Sequence, residues 1–226
     1  MNRTRIPYGD FHLPIQTGCL HSKDICACHD ECWARKYARR GLAPHLYNVD
    51  FLPQWNWKEW EAPLLLKNPS IILVAFTGDL FGDWMSFIAQ ERVLEIVRKA
   101  PRHTYIFLTK NPSALAQHNP WPKNCFVGMT LTGAESLERQ EQMVAAFAEV
   151  EGHRWLSYEP VLGELQVNIE GLVDFVIWDG LNSKEIVKPE CIRELPWDRV
   201  FRKTDLKLLQ FYRQPYWRLL EKLVEG

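Results

Sequence analysis

The sequence has no apolar run long enough to cross a membrane. Its longest apolar stretch, IILVAF at 71–76, is far shorter than the roughly 20 residues that a membrane helix needs. The first residues, MNRTRIPYGDFHLP, also lack the apolar core of a signal peptide. Internal repeats and low-complexity tracts are absent as well. We therefore expect a cytoplasmic protein with no membrane partner.

Neither sign of charge dominates, because the sequence has 27 Lys and Arg residues and 28 Asp and Glu residues, for a net charge of −1. This balance gives no support for a globally basic nucleic-acid-binding protein, although a local basic patch stays compatible with it. Hydrophobic residues make up 46% and charged residues 24%, as is typical of a folded globular protein. A chain of 226 residues fits one large α/β domain, and we expect a single domain over 1–226.

After residue 70, short β-branched and aromatic runs alternate with amphipathic stretches, which predicts βα units around a mostly parallel sheet. The predicted strands are 71–76, 104–109, 125–130, 154–158, 175–178 and 200–202. Pro215 interrupts the segment 206–224, which predicts two helical pieces or one kinked helix. Six units fall short of the eight of a complete barrel. We predict an α/β fold of partial (βα)6-barrel type, with a cysteine-rich loop in an irregular part at 1–70, βα repeats at 71–205 and a C-terminal helix at 206–226.

Four of the six cysteines crowd into a short segment, as Cys19, Cys26, Cys28 and Cys32. A chain of this size needs no disulfides to fold, and thiolates are the ligands that zinc and iron–sulfur clusters prefer. A zinc site would use all four thiolates, or three with His21 or His29. A cluster held by three cysteines would leave one iron open to a small molecule. Cys125 and Cys191 are distant in sequence and are not predicted ligands.

Polar residues follow the predicted strands, where the loops of a parallel sheet converge and ligand sites form. They are Gly78, Asp79, Thr109, Lys110, Thr130, Glu159 and Lys203. For Asp79, the alternative is a cap on the next helix. For Glu159 and Lys203, a role as substrate contacts or proton donors competes with an ion pair that braces the mouth of the barrel.

Basic and aromatic residues form two further groups. The basic residues Arg35, Lys36, Arg39 and Arg40 follow the cysteine loop. They suit either a phosphate-bearing or nucleic-acid substrate or a solvated helix face. The tryptophans Trp55, Trp57 and Trp60 lie close together and suit either a base-stacking surface or core packing.

Together these segments resemble the radical S-adenosylmethionine (SAM) superfamily and, within it, a phage-associated family of unknown function with a three-cysteine motif. The similar segments are Gly18-Cys19, Cys32-Trp33-Ala34, FTGDLF at 76–81, LTKNP at 108–112, VGMT at 127–130, SYEPVLG at 157–163 and FRK at 201–203. In that pattern the middle ligand falls on His29, so the choice between Cys26 and Cys28 stays open. Asp179 stands where the family usually has glycine.

The resemblance implies a 4Fe-4S cluster on three of these cysteines, with SAM bound to the open iron. An external electron donor then drives cleavage of SAM to a 5′-deoxyadenosyl radical, which acts on an undetermined small-molecule, nucleotide or nucleic-acid substrate. Trp33 is expected near the adenine, Gly78 and Asp79 near the methionyl ammonium, and Thr109, Lys110 and Thr130 near the ribose or carboxylate. The alternative is a zinc-stabilised nucleic-acid-binding or interaction module of phage or mobile-element origin.

Overall fold

The computed structural model describes residues 1–27, 29–41, 43–180, 189–193, 195–208 and 210–226. Its strands are β1 (Asn2–Arg3), β2 (Phe11–Leu13), β3 (Gln16–Thr17), β4 (Gln54–Trp55), β5 (Ile71–Val74), β6 (Thr104–Thr109), β7 (Cys125–Thr130), β8 (His153–Val161), β9 (Phe175–Gly180) and β10 (Val200–Arg202). Its α-helices are α1 (Trp33–Arg39), α2 (Ala62–Leu65), α3 (Phe87–Lys99), α4 (Leu137–Ala148), α5 (Lys203–Leu208) and α6 (Gln210–Glu225). Short 3-10 helices span Trp57–Glu59, Pro112–Ala114, Ala116–His118, Glu190–Ile192 and Trp197–Arg199.

Eight strands form one sheet in the order β1-β2-β5-β6-β7-β8-β9-β10. All pairs from β2 to β10 are parallel, and only β1 runs antiparallel, at the edge. The prediction of an α/β fold with a mostly parallel sheet is therefore confirmed. The six predicted strands are β5 to β10, and the bounds of β6, β7 and β10 agree with the prediction. The sheet extends further because β1 and β2 come from the part at 1–70 that the sequence predicts to be irregular.

The first predicted strand ends at Val74, two residues early, because Ala75 takes a left-handed φ of 56° that interrupts a strand. The cysteine loop then lies against this turn, since Gly18 N donates to Thr77 O at 3.0 Å. Gly18 has φ 81°, and a Cβ there would lie 2.1 Å from Leu52 O. Only glycine allows this close approach to Leu52. The bond to Thr77 O places the start of the cysteine loop beside the end of β5.

One face of the sheet packs against α3 and α4. Val93, Leu94 and Val97 of α3 are buried at the spacing of one helical face. Met143 and Phe147 of α4 are also buried. Both helices join a core cluster with alternate strand residues such as Ile72, Tyr105, Phe107, Val127 and Leu156.

The opposite face carries the intervening strand residues Ile71, Leu73, Ile106, Phe126, Trp155, Phe175 and Ile177, in one cluster with Tyr216 and Leu220 of α6. Tyr216 OH donates to Tyr8 O at 3.2 Å. Residues of α6 and the residues that begin β5 and β6 line one cavity, so α6 lies beside the amino-terminal ends of these two strands.

The predicted C-terminal helical segment falls on α5 and α6, and Pro215 lies inside α6. Residue 209 lies outside the described residues, and so does the choice between two helical pieces and one kinked helix. Among the described residues, no helix is both long enough and apolar enough to span a membrane.

Candidate functional site

A cavity of about 370 Å³ lies at the carboxyl ends of the parallel strands, and its size is typical of a ligand pocket. It is lined by every residue predicted from a strand end or for cofactor contact: Trp33, Gly78, Asp79, Thr109, Lys110, Thr130, Glu159 and Lys203. Strand periodicity explains this grouping. On β8, Trp155 packs in the core cluster on the side of the sheet that faces α6. Ser157 and Glu159 follow it at two-residue intervals, so their side chains point to the same side, and both line the cavity.

Three of the four clustered cysteines, Cys19, Cys26 and Cys32, line the same cavity, and Cys28 lies outside the described residues. None of the three is in a disulfide. Burial raises the pKa of the Cys19 thiol to about 12, and the negative charge of Asp79 adds to this shift. Such a thiol keeps its proton unless a cation compensates the thiolate, as a bound metal centre does.

The donor atoms fit a thiolate-ligated centre in type and location, since three thiols face one cavity. Within the described part of the chain, however, no three His, Cys, Asp or Glu side chains already lie close enough together to hold a metal ion. Residues 20–27 and 29–32 contain turns but no helix or strand. Ligation would therefore require the thiols to move closer together, and no regular element of the fold has to break for that.

The carboxylate of Asp79 joins the cysteine loop to two strand ends. Its Oδ2 accepts hydrogen bonds from Lys110 N at 2.9 Å and lies 2.7 Å from His21 Nε2. Its Oδ1 accepts from Thr109 Oγ1 at 2.7 Å and from Phe81 N at 3.0 Å. Burial alone would raise the pKa of Asp79, but the contacts with His21, Lys110 and Thr109 together leave it below its ordinary value. The buried group is therefore a carboxylate at neutral pH.

These contacts bear on the helix-cap interpretation of Asp79. The helix-cap alternative is wrong, because α3 begins at Phe87 with Ser86 as its N-cap. Four partners also fill the roughly four acceptor positions of a carboxylate.

Glu159 and Lys203 form an ion pair at the cavity wall, with 2.8 Å between Oε1 and Nζ. The hydroxyls of Tyr8 and Ser157 each donate to Glu159 Oε2 at 3.3 Å. Burial raises the pKa of Tyr8 well above its ordinary value, and the charge of Glu159 acts in the same direction. The predicted ion pair is thus present, and Tyr8 is a site residue that the sequence reasoning missed.

Asp179 stands at the position where the three-cysteine-motif family usually has glycine, and its carboxylate makes structural contacts. It is buried, and its Oδ2 accepts from Thr204 N at 2.9 Å and from the Thr204 hydroxyl. This contact fastens the end of β9 to the first turn of α5.

The remaining predicted residues differ in exposure. Thr109 and Thr130 are buried, and Thr109 Oγ1 also accepts from Asn111 N at 2.9 Å, so part of its role is structural. Trp33 lines the cavity but is 56% exposed, which places it at the rim. Trp57 instead stacks on both Trp55 and Trp60, while Trp55 and Trp60 meet at a tilt. None of these three tryptophans is among the residues that line the described cavity.

The sequence model of the family DUF5131, a protein of unknown function, matches residues 3–198. The chain belongs to the DUF5131 family. The match includes all predicted site residues except Lys203, so the strand and helix that present this lysine lie beyond it. The searches of curated proteins and of solved structures returned no match.

Proposed function

We propose that this DUF5131 protein is a radical SAM enzyme. Cys19, Cys32 and one of Cys26 and Cys28 would hold a 4Fe-4S cluster, and SAM would occupy the adjoining cavity. The observation that carries the proposal is that three clustered thiols and every predicted cofactor-contact residue line one cavity, at the strand ends where parallel α/β folds bind ligands.

A partial barrel is the second element of the proposal. In a flat sheet, β5 and β10 would be about 24 Å apart, because five steps of about 4.8 Å separate them. Gly78 after β5 and Lys203 after β10 nevertheless line the same cavity. Tyr8, which precedes β2, likewise lies 3.3 Å from Glu159 on β8. Both approaches favour a sheet that curves around the cavity.

When bound and reduced by an external donor, the cluster would supply the electron that cleaves SAM to methionine and a 5′-deoxyadenosyl radical. The chain's own residues hold the reactants in place. The Asp79 contacts fix the loops after β5 and β6, and Phe76 and Leu108 form apolar walls that exclude water. Glu159 and Lys203 present one charge of each sign to the substrate. We propose that the protein acts in the cytoplasm, where thiols stay reduced.

Anaerobic reconstitution with iron and sulfide tests the proposal. We expect a brown protein whose absorbance bleaches on reduction, and which forms 5′-deoxyadenosine from SAM under strong reductant. Cys19→Ala and Cys32→Ala should each abolish both properties, and only one of Cys26→Ala and Cys28→Ala should do so. Cys191→Ala is the matched control, because this half-buried thiol is not among the described cavity residues.

Two results would contradict the proposal. Stoichiometric zinc without iron in anaerobically purified protein would favour the zinc-stabilised module. A full cluster that neither binds SAM nor yields 5′-deoxyadenosine would leave a structural or electron-transferring centre.

A further inference from the structure

The helix α1 has two chemically distinct faces. Ala34 and Ala38 are buried and belong to a small cluster with Ala43, Leu46, Tyr47 and Phe51. On the other side, Trp33, Lys36, Tyr37 and Arg40 are all exposed and follow the i, i+3, i+4, i+7 spacing of one helical face. We call these four residues the α1 stripe. It alternates aromatic and basic side chains.

The stripe is locally cationic in a chain whose net charge is −1. The segment 33–45, WARKYARRGLAPH, contains four Lys and Arg residues and no acid. Lys36 pairs with Glu31, and both side chains are exposed, so this ion pair adds little stability and can exchange for a ligand anion. No described acidic residue forms an ion pair with Arg40. Arg35 differs, because its guanidinium packs 5.7 Å over the Phe51 ring.

One end of the α1 stripe lies at the cavity. Trp33 lines the cavity, and Arg40 lies about 10 Å farther along the helix axis, at 1.5 Å per residue. The stripe therefore runs from the cavity mouth outward, with its two cations about one helical turn apart. An extended anionic ligand lying on the stripe would have one end at the cavity.

We propose that the α1 stripe docks single-stranded nucleic acid and delivers one of its nucleotides to the cavity. Aromatic side chains stack unpaired bases, and adjacent cations neutralise backbone phosphates. Single strands fit better than duplexes, because only unpaired bases expose the faces that stack on Trp33 and Tyr37. The docking does not depend on the radical chemistry. The conclusion that the docked strand is the substrate rests on the proposed function.

Binding of labelled oligonucleotides of about 12 residues, a length within the usual site size, tests the docking. Oligo-dT and oligo-rU are titrated with the full-length, anaerobically reconstituted protein, and fluorescence anisotropy gives Kd at several salt concentrations. Trp33→Ala should weaken binding at least about five-fold. Arg40→Glu should weaken binding and lower the slope of log Kd against log salt by about one.

Two exposed residues elsewhere provide matched controls. Trp57 is 58% exposed, against 56% for Trp33, and Lys99 ends α3 as an exposed cation. Trp57→Ala and Lys99→Glu should bind both oligonucleotides as the wild type does. Circular dichroism of all four variants shows that each remains folded, as expected for exposed positions.

Several outcomes overturn the inference. The first two are that neither oligonucleotide binds at low salt, and that Trp33→Ala binds as tightly as the wild type. The other two are that a duplex binds more tightly than the single strands, and that inorganic polyphosphate, which has no bases, competes as well as an unlabelled oligonucleotide. Formation of 5′-deoxyadenosine by the same preparation separates the two proposals. SAM cleavage without oligonucleotide binding refutes only the docking, and oligonucleotide binding without SAM cleavage refutes only the enzymatic function.

Discussion

His21 and Asp79 are joined across the cavity wall by a contact of 2.7 Å between Nε2 and Oδ2, and both side chains are only 5% exposed. The contact fixes the loop after Cys19 against the loop after β5. It occupies Nε2 of His21, so a metal ion bound by this ring would have to use Nδ1. Asp79 thus joins the cysteine loop to the ends of β5 and β6.

Asp79→Ala should lower the free energy of unfolding by about 3–5 kcal/mol, because it leaves His21 and three other buried donors without their charged acceptor. Urea denaturation of the cluster-free protein measures this loss. Asp83→Ala is the control. Asp83 is an exposed aspartate that accepts one side-chain hydrogen bond, from Asn111, so its removal should cost less than about 1 kcal/mol. Equal losses would show that the Asp79 contacts do not organise the fold.

Gly128→Ala should destabilise the fold by about 1–3 kcal/mol through overpacking. A Cβ at this position on β7 would lie 2.4 Å from the Trp155 indole on the neighbouring strand. In the double variant Gly128→Ala/Trp155→Phe, the smaller ring should relieve part of the clash. The combined loss should then be less than the sum of the two single losses. Simple additivity in urea denaturation would contradict the close contact.

The strands from β6 to β9 could be predicted because each contains a buried apolar, β-branched or aromatic run. The strands β2 and β10 have only three residues each and give no measurable periodicity. Of these two, only β10 begins with an adjacent apolar pair, Val200 and Phe201, and only β10 was predicted. The early end of β5 at Val74 could not be predicted from the sequence either. It follows from the left-handed backbone at Ala75, and alanine carries no signal for that conformation.

The candidate site was partly predictable for a related reason. Residues at the ends of predicted strands, such as Thr130 and Glu159, had to converge in a parallel sheet. Tyr8 reaches the cavity from a non-strand segment near the N-terminus, through a hydrogen bond to a residue 151 positions away. No local pattern encodes such a contact. Ser157 had a weaker signal, since it lies two residues before Glu159 on the same face of β8.

Asp179→Gly, which installs the glycine of the resembling family, should lower the free energy of unfolding by about 1–3 kcal/mol. The amide and hydroxyl of Thr204 then lose their shared acceptor. Thr204→Val removes the hydroxyl alone. In a double-mutant cycle, the two changes should be less than additive, as measured by urea denaturation. Additive losses would mean that Asp179 does not fasten β9 to α5.

His12 should make stability depend on pH. Burial lowers the pKa of this histidine to about 4, and the charge of the N-terminal amine adds to the shift. Its Nε2 is buried without a hydrogen-bond partner. The unfolded chain takes up a proton below about pH 6.5, but the folded chain resists protonation until about pH 4. The free energy of unfolding therefore has its full value with respect to His12 above about pH 6.5, and it decreases as the pH falls toward 4.

Between these limits the free energy of unfolding of the cluster-free protein should fall by roughly 2 kcal/mol on account of His12. His12→Gln cannot titrate, so the variant should show a correspondingly flatter profile in urea denaturation across this range. The matched control is His45→Gln, which removes an exposed histidine and should retain the wild-type slope. If the free energy of unfolding had the same slope against pH in the wild type and in His12→Gln, the folded chain would accommodate a protonated His12. The His12 ring would then not be buried from water between β1 and β5.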